Sequence, residues 1–250
     1  MHAYTAEFLG TLLLVLLGNG VVANVVLPRT KGHAGGWIVV ALGWGMAVFV
    51  AVSCVGAASG AHINPAVTIG LVAADKFDAA LAPGYIAAQM LGAMTGASLV
   101  LLVYRDHFRA SDDPAAKLAC FATAPAIRRA SSNVTSEIIG TLVLVLAVLL
   151  AAKPTITAGA ESPAAVPDAM QIGLGSLDAL PVGLIVLAIG LSLGGPTGYA
   201  INPARDLGPR LVHALLPVPG KGSSDWPYAW IPVAGPIAGA LLAAAVFGVL

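Results

Sequence analysis

Six apolar runs, each about long enough to cross a bilayer, govern what this chain can fold into. They lie near 8–27, 37–57, 80–104, 133–152, 179–195 and 229–250. A hydrocarbon core about 30 Å thick takes about 20 residues of helix to span. Lipid offers a peptide group no hydrogen-bond partner, so runs of this kind are helical. Only 10% of the 250 residues are charged, against roughly 25% in a soluble domain. Mean hydropathy is +0.89. The first eleven residues hold no Lys or Arg, and the first run is too long for the apolar part of a secretory signal, so it is read as a span.

The chain is also written twice. "AEFLGTLLLVL" at 6–16 matches "SEIIGTLVLVL" at 136–146, which sets Glu7 against Glu137 and Gly10 against Gly140 at an offset of 130. "SGAHINPAVTIG" at 59–70 matches "TGYAINPARDLG" at 197–208, which sets Asn64 against Asn202 at an offset of 138. A weaker echo sets "QMLGAMTGA" at 89–97 against "PVAGPIAGA" at 232–240, with Gly92 against Gly235 and Gly96 against Gly239. Each half, 1–130 and 131–250, reads span, span, Asn-Pro-Ala segment, span. Three spans is an odd number, so the second half enters the membrane from the opposite side. The expected fold is an all-α membrane protein of two inverted repeats, forming one channel domain. The paired glycines suit close helix contacts.

Asn favours a helix N-cap and Pro the first helical position. Asn64-Pro65-Ala66 and Asn202-Pro203-Ala204 therefore each start a helix. About 11 apolar residues follow Asn64, enough to climb about 16 Å, or half a membrane. Two half-helices, 64–74 and 202–216, are expected to meet near the bilayer centre. Irregular backbone survives at that depth only beside a watery cavity. Gly60, Ala61, His62 and Ile63, with Gly198, Tyr199 and Ala200, are expected to run extended along a pore, their carbonyls serving as acceptors. An acid inside a span is a functional candidate by default. Glu7 and Glu137 occur once per repeat, which suits hydrogen bonds to the irregular backbone before each half-helix; a proton relay is the alternative.

Twelve basic and twelve acidic residues cancel, and no basic patch suggests nucleic acid. Cys54 and Cys120 make no metal-spaced pair, and Cys54, inside a span, reads as packing. No metal, cofactor or enzymatic activity is expected, since no nucleotide motif, metal cluster or catalytic triad is visible.

At the Asn-Pro-Ala segments the chain resembles the aquaporin superfamily, and more closely its glycerol-conducting branch, the aquaglyceroporins or glycerol uptake facilitators. "AEFLGT", "SGAHINPAVTIG", "GPTGYAINPARDLGP" and "GPIAGA" carry the likeness over nearly the whole chain. It implies a passive channel in the cell membrane for glycerol, water and other small uncharged solutes, closed to ions and protons. It further implies a homotetramer with one pore per subunit and both termini in the cytoplasm. By the same resemblance Trp44, Gly190, Tyr199 and Arg205 form a selectivity filter near the outer mouth. Water-selective members carry a His where Gly190 stands and a smaller residue at Tyr199. Asp206 also fits the glycerol branch, whereas facilitators of that branch carry Phe where this chain has Tyr199.

In this reading Arg205 donates to solute oxygens, the carbonyls accept, and Trp44 and Tyr199 face the carbons. Gly190 leaves the room a His would fill. Two half-helix dipoles and Arg205 repel cations, while the Asn64 and Asn202 amides both donate to one water and break a proton wire. The alternatives are a channel for another neutral solute (undissociated lactic acid, dihydroxyacetone, urea), a water-selective channel, or a coupled secondary transporter. With both termini inside, Arg29, Lys31, Arg105, Arg109, Lys117, Arg128, Arg129, Arg210 and Lys221 fall outside, and Lys76 and Lys153 inside. The positive-inside rule favours the reverse.

Overall fold

The computed structural model describes residues 1–151 and 175–250, with the backbone of 155–156 and 170–171 between them. Lys153 and most of the loop from 153 to 178 lie outside the described residues. The helices are α1 (Ala3–Val26), α2 (Trp37–Ser59), α3 (Pro65–Ala73), α4 (Ala82–Val103), α5 (Arg105–Ala110), α6 (Pro114–Ala119), α7 (Ala130–Leu150), α8 (Leu180–Leu193), α9 (Pro203–Leu215) and α10 (Ile231–Phe247). The backbone of Thr155–Ile156 pairs antiparallel with Met170–Gln171.

Four of the expected spans are helices α1, α2, α4 and α7, of 21 to 24 residues. The other two are shorter than their apolar runs. Gly194-Gly195-Pro196 stops α8 after 14 residues, and a 3-10 turn at Gly175–Ala179 extends it at the other end to 19. Helix α10 has 17 residues and closes at Gly248. The half-helices are α3 and α9, with 9 and 13 residues. Helices α5 and α6 fall in a polar connector where no periodicity announces them. Asp113 caps α6, accepting from the Ala115 amide at 2.8 Å.

Helix α1 packs on α4 and α7 on α10, while α3 packs on α10 and α9 on α4. The glycines set how close these pairs come. A Cβ on Gly92 would strike the Phe8 carbonyl oxygen, and one on Gly239 would strike that of Ile138. Phe8 and Ile138 are equivalent at the offset of 130. The third sequence echo is therefore one turn out of register: Gly92 corresponds to Gly239, not Gly235. The lapse is physical, since small residues recur every turn along α10 and each offers a plausible match. Gly10 and Gly140 do correspond, a Cβ on each reaching the Ile63 and Ile201 side chains at 2.7 and 3.0 Å. Cys54 is exposed on α2 rather than packed inside.

Candidate functional site: the junction of two half-helices

Asn64 and Asn202 both adopt extended backbone and cap the helices that follow them. Asn64 Oδ1 accepts from the Ala66 amide at 2.9 Å. Asn202 Oδ1 accepts from Ala204 and Arg205 at 3.0 and 3.2 Å. Such caps contribute about 1 kcal/mol each. The side-chain amides then cross. Asn64 Nδ2 donates to the Ile201 carbonyl at 2.8 Å, and Asn202 Nδ2 donates to the Ile63 carbonyl at 2.9 Å. The N-termini of α3 and α9 therefore abut, bringing together two partial positive charges of about half a unit each. Each amide is expected to donate to a central water. One hydrogen of each is tied across the junction, and one remains for such a water.

The segments before the caps are not simply extended. Left-handed residues interrupt them at matching places: Gly60, Ala61 and Ile63 (φ 81°, 49° and 43°) and Gly198, Tyr199 and Ile201 (φ 78°, 37° and 43°). Each such non-glycine residue costs about 1–3 kcal/mol. The two buried acids offset that strain. Glu7 accepts from the amides of His62 and Ile63 at 3.0 and 2.7 Å, from Ser59 Oγ at 2.6 Å and from Gln89 Nε2 at 2.7 Å. Glu137 accepts from the amides of Ala200 and Ile201 at 3.0 and 2.8 Å and from the Thr197 side chain. In a trans peptide the carbonyl points opposite to its N–H. Amides turned to the acids thus turn the carbonyls of Ala61, His62, Tyr199 and Ala200 the other way.

On that other side lies a cavity of about 120 Å³. Its polar wall carries Gly60, Ala61, His62 and Ile63 from one segment, Tyr199, Ala200 and Ile201 from the other, and both capping asparagines. Its apolar wall includes the equivalent pair Leu14 and Leu144, with Val48, Val52, Val182 and Val186. Gly198 does not line it; a Cβ there would face Thr123.

Trp44, Tyr199 and Arg205 line the same cavity, each buried within 6% exposure. Arg205 is thus no surface cation, and its guanidinium carbon sits 4.1 Å from the centroid of the Trp44 ring. Such a desolvated contact contributes about 2 kcal/mol. Three buried polar atoms here have no partner among the described residues: Trp44 Nε1, Tyr199 OH and Arg205 Nη1. Gly190 differs from its expected part. The room beside it is already filled, since a Cβ there would lie 2.8 Å from Tyr199 Cζ and 2.9 Å from its hydroxyl. Gly190 is the seat of the Tyr199 ring.

Several partners escape a reading of motifs. A Cβ on Gly18 would strike the Trp44 ring. Trp37 packs edge-on to Tyr199 and donates to the Gly190 carbonyl at 2.8 Å. Asp206 is fully buried, accepting from Thr123 N and Oγ1 at 2.7 and 2.6 Å and pairing with buried Arg210 at 2.8 Å. Asp206 lies within the repeated segment, and Ser59 and Thr197 each stand five residues before a capping Asn. Gly18, Trp37, Thr123 and Arg210 have no repeat to mark them.

A family model described as "Major intrinsic protein" matches residues 1–247. A probable glycerol uptake facilitator protein of Thermotoga maritima is 54% identical, over 99% of this chain and 98% of its own. The glycerol uptake facilitator protein of Bacillus subtilis is 50% identical, over 96% of this chain and 81% of its own. Among solved structures, the aquaglyceroporin from Plasmodium falciparum superposes with a TM-score of 0.80 at 34% identity, covering 98% of this chain and 94% of that one.

Proposed function

Because the chain belongs to the major intrinsic protein family, we propose that it conducts glycerol, water and other small uncharged solutes passively across the cell membrane. The observation that carries this reading is the two-sided cavity. Trp44, Tyr199 and Arg205 stand with a file of carbonyl acceptors on one wall, with aliphatic side chains on the other. A polyol has the same two sides, hydroxyls along one edge and C–H groups along the other. The relatives named as glycerol uptake facilitators support glycerol as the cargo.

In this proposal Trp44, Tyr199 and Arg205, with Gly190 seating the tyrosine, form the selectivity filter. Asn64 to Ala66 and Asn202 to Ala204 form the midplane barrier. Gly60 to Ile63 and Tyr199 to Ala200 supply acceptors, and Glu7 and Glu137 hold those acceptors in place. Residues 1–130 and 131–250 act as inverted repeats. Both termini face the cytoplasm, and four copies assemble, one pore in each.

Stopped-flow light scattering on proteoliposomes tests the reading. Rapid reswelling in glycerol, without a proton or sodium gradient, is expected. Vesicles that pass water and exclude glycerol, or that need an ion gradient, overturn it.

A further inference from the structure

The His62 ring lines the cavity and is 7% exposed. It packs against two touching aromatic rings, with centroids 4.5 Å from Phe77 and 4.9 Å from Tyr85, which are 4.7 Å from each other. Tyr85 is itself anchored by donating its hydroxyl to the Ser59 carbonyl at 2.9 Å. His62 Nδ1 lies 3.1 Å from Thr68 Oγ1. Its Nε2 has no partner among the described residues and, unlike Trp44 Nε1, is not sealed from the cavity. Which nitrogen carries the proton decides what the cavity sees there.

Counting hydrogens around Thr68 settles that choice. Its hydroxyl has three polar neighbours: the Asn64 carbonyl at 3.1 Å, His62 Nδ1 at 3.1 Å and Gln89 Nε2 at 3.0 Å. The orientation of Gln89 follows from Glu7. Its amide nitrogen lies 2.7 Å from Glu7 Oε2, where an amide oxygen would face another oxygen. The two hydrogens of Gln89 therefore go to Glu7 and Thr68. Thr68 owns one hydrogen. If it went to His62, the approach to the Asn64 carbonyl would set two oxygens together with no hydrogen between them. If it goes to Asn64, His62 Nδ1–H donates to Thr68, and all three contacts are hydrogen bonds. The second arrangement keeps one bond more.

We infer that the Thr68–Gln89 network holds His62 as its Nδ1–H tautomer, so that a bare Nε2 faces the cavity as an acceptor subsite for a solute O–H or N–H. The subsite deepens the proposed function and rests on it only for the identity of the solute. It extends the carbonyl file of Ala61 and His62 by one side chain. It also occurs once, because Ala200 holds the equivalent place in the other half. A solute that satisfies Arg205 with its acceptors must bring donors of its own to pass this half.

The test uses the full chain in proteoliposomes, labelled with ¹⁵N-histidine and read by solid-state NMR, with His62→Asn assigning the signals. The wild type is expected to show protonated Nδ1 and unprotonated Nε2, with the Nε2 signal moving on addition of glycerol and staying put with dimethyl sulfoxide, which has no donor. Thr68→Val is expected to move the proton to Nε2. An Nε2–H tautomer in the wild type overturns the inference, and this reading stands even if Thr68→Val fails to fold. So does an Nε2 signal that ignores glycerol in vesicles that admit it, or that answers both solutes equally. Vesicles that exclude glycerol count against the proposed function instead, and the tautomer is still measurable in them.

Discussion

Asn64 and Asn202 are each bonded to the carbonyl that precedes the other, Asn64 to Ile201 and Asn202 to Ile63, at 2.8 and 2.9 Å. Each residue thus caps its own half-helix and ties it to its counterpart. Replacing Asn202 by Ala removes a cap and one cross-junction bond. About 1 kcal/mol for each gives a loss of about 2 kcal/mol. Thermal unfolding in detergent checks the size. Proton leak in dye-loaded vesicles is expected to rise as the half-helix ends separate, and an unchanged leak would count against the barrier assigned to this junction.

Gly190 and Tyr199 yield a sharper outcome. A methyl at 190 has no room while the tyrosine ring is seated, because Cζ would lie at 2.8 Å. Gly190→Ala is expected to push the ring into the cavity and lower glycerol flux at least tenfold, with a smaller loss for water. Adding Tyr199→Ala removes the clash, so the double variant is expected to regain most of the glycerol rate. A Gly190→Ala variant with wild-type glycerol flux would mean that the ring does not border the route.

Much of this was legible because the chain repeats itself. The repeated caps named the junction, and one acid per repeat pointed to the backbone before each half-helix. Glu7 and Glu137 bind equivalent amides, His62 and Ile63 against Ala200 and Ile201. Where the halves differ, pattern gave out. Gln89 has no counterpart at Glu137, since Pro236 stands one turn before Gly239 as Gln89 stands before Gly92. The seat of Tyr199 depends on α2, α8 and the segment before α9 meeting in space, which no spacing encodes. Alternating left-handed residues at Ala61 and Ile63 were hidden because neither is a glycine.

The acids separate a scaffold from a relay. Glu7 receives four donors, two on each carboxylate oxygen, which leaves no lone pair for a travelling proton. Glu7→Gln puts an amide N–H against two donors. Two donors left unmade at about 1–3 kcal/mol each give an expected loss of about 2–6 kcal/mol, and Glu137→Gln is expected to behave alike. Melting temperature checks this, and Gln variants that keep wild-type stability yet lose gradient-driven uptake would instead indicate a relay.

The loop cations bear on orientation. Several cations that argue against cytoplasmic termini have structural employment. Arg210 is buried against Asp206, and Arg128 bonds Asp225, which raises its pKa above the ordinary guanidinium value. Lys221 closes the end of α9, donating to the carbonyls of His213, Ala214 and Leu216 at 2.6 to 2.7 Å, and Lys117 reaches the Gly220 carbonyl at 3.2 Å. Cations committed to folded loops have a structural role independent of insertion, so their number alone does not set orientation. Lys221 is for the same reason a poor labelling site. Exposed Lys31, in the loop between α1 and α2, is better. Lys31→Cys in a Cys54→Ser background is expected to react with a membrane-impermeant maleimide on intact cells. Reaction only after permeabilisation would place this loop, and with it the mouth lined by Trp44 and Arg205, on the cytoplasmic side.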